Sequence, residues 1–214
     1  PSVAAPSSPV QANPQAAAPA APAPAAPTAG PRTVAEATDY AATSTYAEVM
    51  SFIRDLQRLS PLVRVETLCV SAEGKAVPLL VIGQPLPQDP LALRAEKKIA
   101  VYIQANIHAG EAEGKEAALM LARDILLDPK LPYLDRIALL VAPIFNADGN
   151  DKLGKNRRDN GPELAGVRHN GQYLDLNRDY FLAEAPETRA SLERVYTTWD
   201  PALMMDLHTT DGTR

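Results

Sequence analysis

The chain has 214 residues, 46% of them hydrophobic, which is enough for one sizeable domain with a buried core and too little for two. Its 21 basic residues face 26 acidic ones, a formal net charge of -5, and form no long Lys/Arg run; a surface built to grip a phosphate backbone is excluded, so no nucleic-acid partner is expected. Cys69 is the only cysteine, which excludes an intramolecular disulfide and a cysteine-based zinc site and leaves the compartment open.

Residues 1–31 hold nine of the 20 prolines, many alanines and no charge before Arg32. Proline fixes its own φ, lacks a donor and biases the preceding residue away from helix, so residues 1–32 are expected to be a solvated, disordered linker. There is no initiator methionine, no basic and apolar leader, and no run of about 20 apolar residues that would make a transmembrane segment. An Ala/Pro-rich start of this kind suits a periplasmic or secreted bacterial protein, and that is the expected localisation.

From Tyr46 to Leu59, Tyr46, Val49, Met50, Ile53, Leu56 and Leu59 recur at helical spacing after a Thr-Ser-Thr stretch suited to capping, and Pro61 ends the helix. Val63–Val70 and Val77–Ile82 read as a strand hairpin around the glycine turn of Ser71 to Lys75, followed by a Pro-rich loop over residues 85–90. Ile99–Ile107 is a continuous apolar run that predicts a strand covered on both faces. His108 follows it, and Glu111–Leu127 has helical periodicity up to Asp128-Pro129. Ile137–Ile144 predicts another buried strand, Glu187–Trp199 a helix and Ala202–Leu207 a further strand. Strands alternating with helices predict an α/β fold: a mixed, mostly parallel sheet flanked by helices.

His108 and Glu111 therefore stand three apart at a strand-to-helix junction, and His208 ends the Asp206-Leu207-His208 strand terminus. Zinc takes imidazole nitrogen and carboxylate oxygen, and catalytic zinc uses three protein ligands with one position left to water. In open α/β sheets, ligands bind beyond the carboxyl ends of the strands, where both histidines fall. Taken singly, each residue has an ordinary reading, a polar loop histidine or a glutamate that complements a helix dipole.

The order of motifs adds context. Ser71-Ala72-Glu73-Gly74-Lys75, His108-Ala109-Gly110-Glu111, Asn146-Ala147-Asp148-Gly149, the basic stretch Asn156-Arg157-Arg158, Asp175-Leu176-Asn177-Arg178 and Asp206-Leu207-His208 follow one another at domain-scale spacing. In that order they resemble the M14 family of zinc metallocarboxypeptidases, from about Tyr46 to the last residue, with residues 33–214 as the N-terminal portion of the catalytic domain. The resemblance implies an α/β/α carboxypeptidase fold and one zinc ion held by His108, Glu111 and His208. It implies that Asn177 and Arg178 bind the terminal carboxylate of a peptide substrate, a protein C-terminus or a peptidoglycan peptide. A guanidinium fork with an adjacent amide suits that group. Arg157, with Arg158 as the alternate, matches the arginine that polarises the scissile carbonyl and stabilises the oxyanion. Asp175 matches the carboxylate that orients a zinc histidine. His169 matches no ligand and is expected to be exposed. Gly110 stands where many members carry arginine, and Ala147 replaces a common proline.

The reaction implied is hydrolysis by metal-activated water. The general-base glutamate and capping tyrosine of the family lie downstream of the last histidine, beyond Arg214. The chain is therefore expected to be incomplete at its C-terminal side and nearly inactive alone. Two alternatives share parts of the pattern. An N-acyl amino acid deacylase of the aspartoacylase and succinylglutamate desuccinylase type has similar His-x-x-Glu, Asp-Leu-Asn-Arg and Asp-Leu-His elements, and a non-catalytic module could bind C-terminal peptides through Asn177 and Arg178.

Overall fold

A computed structural model of the chain describes residues 30–127, 132–158 and 161–209. Of the expected linker, residues 1–29 lie outside the described residues, while its end is tied down: the Pro31 carbonyl accepts from Arg123 Nη1 at 3.1 Å. The expected helix stop at Asp128-Pro129 also lies outside them.

The elements run α1 (Val34–Ala37), α2 (Tyr46–Leu59), β1 (Val63–Val70), β2 (Ala76–Ile82), α3 (Pro90–Ala95), β3 (Ile99–Ala105), α4 (Ala112–Leu127), β4 (Ile137–Ala142), α5 (Ala147–Asn150), the short hairpin β5 (Gly154–Lys155) and β6 (Leu164–Ala165), α6 (Pro186–Ala190) and β7 (Leu203–Leu207). Thr45 caps α2 in a reciprocal box with Glu48, and Val49, Phe52, Ile53 and Leu56 form its buried stripe. The helix stops at Ser60, which is extended because Pro61 disfavours the helical region before it. No described helix is long and apolar enough to cross a membrane.

Five strands form one mixed sheet in the order β1-β2-β4-β3-β7, with β1–β2 and β2–β4 antiparallel and β3 parallel to both β4 and β7. Helices flank it, as expected. Every residue of β3 from Ala100 to Ala105 is buried, which accounts for its unbroken apolar run. On one side Tyr196 meets Tyr102 edge-on at 5.9 Å, and the Tyr180 hydroxyl donates to Gln104 Oε1 at 3.1 Å. In the parallel half, Gln104 pairs with Ala142 and Ala105 with Leu207, so β4, β3 and β7 end at one edge of the sheet. His108, Asn146 and His208 follow those three ends.

Some elements differ from the sequence expectation. β3 stops at Ala105 because Asn106 takes a left-handed φ of 63°, a conformation asparagine tolerates, and turns the chain before His108. β4 ends at Ala142, two residues short of the run that predicts it. The helix expected over Glu187–Trp199 begins at Pro186 and widens into a π-helix over Ser191–Thr197. There the hydroxyls of Thr197 and Thr198 donate to carbonyls five residues back, at Leu192 and Glu193. A short helix not anticipated from the sequence, α3, begins at Pro90, the last residue of the stretch read as loop, with Asp89 as its cap.

Candidate metal centre

Gly114, in the first turn of α4, sets the distance between the two halves of the site. A Cβ there would lie 2.4 Å from the Leu207 carbonyl oxygen and 2.8 Å from Leu207 Cβ, so only glycine lets the helix start this close to the end of β7. The Glu111 amide closes a turn on the His108 carbonyl at 2.9 Å, just ahead of α4. As a result Glu111 Oε1 lies 2.8 Å from His108 Nδ1, and Oε2 lies 3.0 Å from His208 Nδ1. The donor atoms of the three residues lie within 4.8 Å of one another. His108 and Glu111 are buried, while His208 is partly open to solvent.

The far nitrogens of both rings are also held by carboxylates: His108 Nε2 is 3.0 Å from Asp175 Oδ1 and His208 Nε2 is 3.0 Å from Asp206 Oδ2. A neutral imidazole has one proton, yet each ring faces two carboxylates. With the protons on Nε2, both Nδ1 lone pairs converge on the Glu111 carboxylate, and a divalent cation between them supplies the positive charge the cluster lacks. Carboxylate support behind a ligating histidine is the usual arrangement at zinc sites. The residues present therefore fit such an ion by donor type and by placement.

Electrostatics agree with a site prepared for a cation. Burial pushes the Glu111 carboxyl up, but the Thr209 amide, His108 and His208 outweigh it and hold the group below the ordinary glutamate value. Asp175 shows the same balance, with Arg168 and His108 overcoming burial to keep it low. Asp206 goes the other way, because burial exceeds the help it receives from His208.

Two arginines, Arg158 and Arg168, contact the cluster, and Arg157 lies on the cavity beside it. Arg158, only about 10% exposed, places Nη1 3.6 Å from Glu111 Oε1 and donates from Nη2 to the Thr209 carbonyl at 3.2 Å and to its hydroxyl at 3.1 Å. Arg157 is exposed and folds back over Gly154, where a Cβ would meet its Nε at 2.7 Å. Arg168 donates from Nε to Asp175 Oδ2 at 2.8 Å, with Nη1 3.4 Å from His108 Nδ1. Sequence reading missed Arg168, which lies 60 residues from His108 and carries no motif. It also missed Asp206 as a partner of His208, two residues away, where the His208 amide turns back to donate to the Asp206 carbonyl at 3.0 Å just past β7.

Asn177 and Arg178 lie on the turn that carries Asp175: the Asn177 amide donates to Asp175 Oδ1 at 3.0 Å and the Arg178 amide to the Asp175 carbonyl at 2.9 Å. Arg178 is exposed, its guanidinium resting on the Asn177 carbonyl at 3.0 Å. It does not pair with Asp179, which is buried and accepts the amides of Glu184 and Ala185, each at 2.9 Å. Among the described residues, no hydrogen bond joins either side chain to the three ligands. His169 is exposed, as expected.

The remaining motifs form scaffolding. Buried Asp148 accepts the Ser71 hydroxyl at 2.6 Å and the Glu73 amide at 3.1 Å, locking the β1–β2 turn onto α5. Asn146 Nδ2 donates to the Arg168 carbonyl at 3.1 Å, anchoring the segment that carries Arg168 and Asp175 near the end of β4. A cavity of about 510 Å³ opens beside His108 on this side of the molecule.

The model of the family described as "Zinc carboxypeptidase" matches residues 49–212. A curated protein, carboxypeptidase 2 of Trichophyton rubrum, is 23% identical over 140 residues, covering 64% of this chain and 23% of its own length. Among solved structures, a metallo-carboxypeptidase from Burkholderia cenocepacia aligns with a TM-score of 0.61 at 22% identity, covering 80% of this chain and 42% of that one. Carboxypeptidase A of Helicoverpa armigera aligns with a TM-score of 0.62 at 19% identity, covering 80% and 47%. These structural likenesses show a shared fold. The chain spans about a quarter of the length of the curated relative and less than half of each of the two solved chains.

Proposed function

The chain belongs to the zinc carboxypeptidase family, whose model spans most of it, and we propose that His108, Glu111 and His208 hold one zinc ion in a protein that removes residues from peptides with a free C-terminal carboxylate. The observation that carries this reading is the convergence of two histidine Nδ1 atoms on the Glu111 carboxylate while both Nε2 atoms are held by Asp175 and Asp206.

Zinc in such a site supplies Lewis acidity and makes water acidic enough to react near neutral pH. The side chains of this protein do the rest. Asp175 and Asp206 keep the Nε2 protons in place, so each ring presents Nδ1 as a ligand. Arg168 holds the second oxygen of Asp175 and fixes its direction. Asn177 and Arg178 receive the terminal carboxylate of the peptide and set the register of the bond to be cut. An arginine donates to the carbonyl oxygen as negative charge develops there. The sequence register favours Arg157 for this role, whereas the position of Arg158 beside Glu111 supports Arg158, and we assign it to Arg158. Proton transfer is assigned to none of these side chains, and the 214-residue chain alone is expected to bind zinc weakly and to be nearly inactive.

The test compares a peptide bearing a free C-terminus with its C-terminal amide, using the full-length protein loaded with zinc. We expect stepwise release of the terminal residue from the free acid, little from the amide, and none after chelation. Release of acetate or succinate from acylated amino acids without peptide cleavage would establish the deacylase instead. Binding of the free acid without hydrolysis would establish the non-catalytic module.

A further inference from the structure

The cavity beside His108 is walled by Lys152, Arg157, Arg158 and Arg168, with His169 and Tyr173 on the same lining, and no carboxylate lines it among the described residues. Four of the chain's 21 basic residues thus share one concave surface in a protein whose formal net charge is -5.

The carboxylates that steady these cations reach them from outside the lining. Glu73 Oε1 is 2.5 Å from Lys152 Nζ, Asp175 Oδ2 is 2.8 Å from Arg168 Nε, and Glu111 Oε1 is 3.6 Å from Arg158 Nη1. Lys152 is further positioned over the Tyr173 ring, 5.7 Å from its centroid. Arg157 makes no ion pair among the described residues. A divalent ion on the three ligands would add two positive charges and draw on the charge of Glu111. A concave wall of one sign focuses the field inward and raises the local concentration of opposite charge. Asn177 and Arg178, the proposed clamp for the terminal carboxylate, do not line this cavity. With Lys152, Arg158 and Arg168 each beside one carboxylate, the wall's excess positive charge is that of Arg157 and of an ion on the three ligands, and neither is spent on that clamp.

We propose that the substrate carries a second negative charge, an aspartate or glutamate side chain in a residue flanking the cleaved bond, and that this cationic wall selects for it. The proposal rests on the peptidase reading of the same site. It assigns substrate selection to Lys152, which touches none of the metal ligands in the structure, and to Arg157.

The experiment uses the full-length, zinc-loaded protein and sets of peptides that differ only by Glu or Gln at each position flanking the scissile bond. We expect Glu at one of these positions to raise kcat/KM about tenfold at low ionic strength, with the preference shrinking as salt screens it. Lys152→Glu should remove about threefold or more of that preference while leaving hydrolysis of the Gln peptide unchanged, and Lys152→Gln should do so less strongly. Thermal unfolding of both variants shows whether either is misfolded, in which case the other is read. Equal or faster cleavage of the Gln peptides at every position overturns the proposal, as does a Glu preference untouched in a folded Lys152 variant. Should no peptide be hydrolysed, the peptidase reading fails and selection is read from calorimetric binding of the same peptides. Tighter binding of the Glu peptides then supports the wall's role, and equal affinities overturn it.

Discussion

Replacing His108 by alanine is expected to strip the protein of zinc and to lower kcat/KM by more than about 100-fold, the upper range of what loss of support behind a ligand costs. The substitution removes one Nδ1 donor and frees both Glu111 Oε1 and Asp175 Oδ1 from the contacts they make at 2.8 and 3.0 Å. Two buried or partly buried carboxylates are then left with less compensation, so the effect on the site exceeds the loss of a single ligand. Zinc content after gel filtration, measured with peptide hydrolysis on the same sample, reads the result. His169→Ala is the control, since that ring is exposed and no hydrogen bond links it to the ligands among the described residues. Retention of one zinc and of most of the activity in His108→Ala would place the metal elsewhere.

The second large effect separates the two neighbouring arginines. Arg158→Gln is expected to lower kcat by about 10²–10³-fold on a neutral peptide with little change in KM, the usual consequence of losing one oxyanion donor. Arg157→Gln is expected to cost less than about tenfold on the same peptide, because an exposed guanidinium contributes through screened charge alone. The basis is position: Arg158 is mostly buried, is held by Thr209 and faces the Glu111 carboxylate, whereas Arg157 turns back over Gly154. Steady-state kinetics on both variants decides between them. The reverse order of effects would return the role to Arg157.

Much of the site was legible because short-range pattern and covalent spacing carried it. The unbroken apolar run of β3 and the periodicity of α4 put His108 and Glu111 at a strand-to-helix junction, and the Asp206-Leu207-His208 terminus put the third ligand beyond a neighbouring strand. What the sequence did not carry was contact between distant segments. Arg168 reaches Asp175 and His108 from a segment whose carbonyl Asn146 holds, and none of these links follows from a local pattern. The preference between Arg157 and Arg158 turned on which guanidinium meets Glu111 and Thr209 and which turns back over Gly154, a matter of one residue of register. Apolar periodicity likewise could not separate an α-helix from the π-helix at Ser191–Thr197, a span of seven residues in which only Ser191 and Val195 are buried. The left-handed turn at Asn106 is permitted by asparagine but not required by it, so the end of β3 was set by tertiary structure.

The central claim is that one zinc ion lies between His108, Glu111 and His208, and an anomalous difference map collected across the zinc absorption edge tests it most directly. For crystals of the zinc-loaded protein, we expect a single strong peak within bonding distance of His108 Nδ1, His208 Nδ1 and the Glu111 carboxylate, present above the edge and lost below it. Absence of a peak there in protein shown to contain zinc, or a peak coordinated by other residues, would contradict the account.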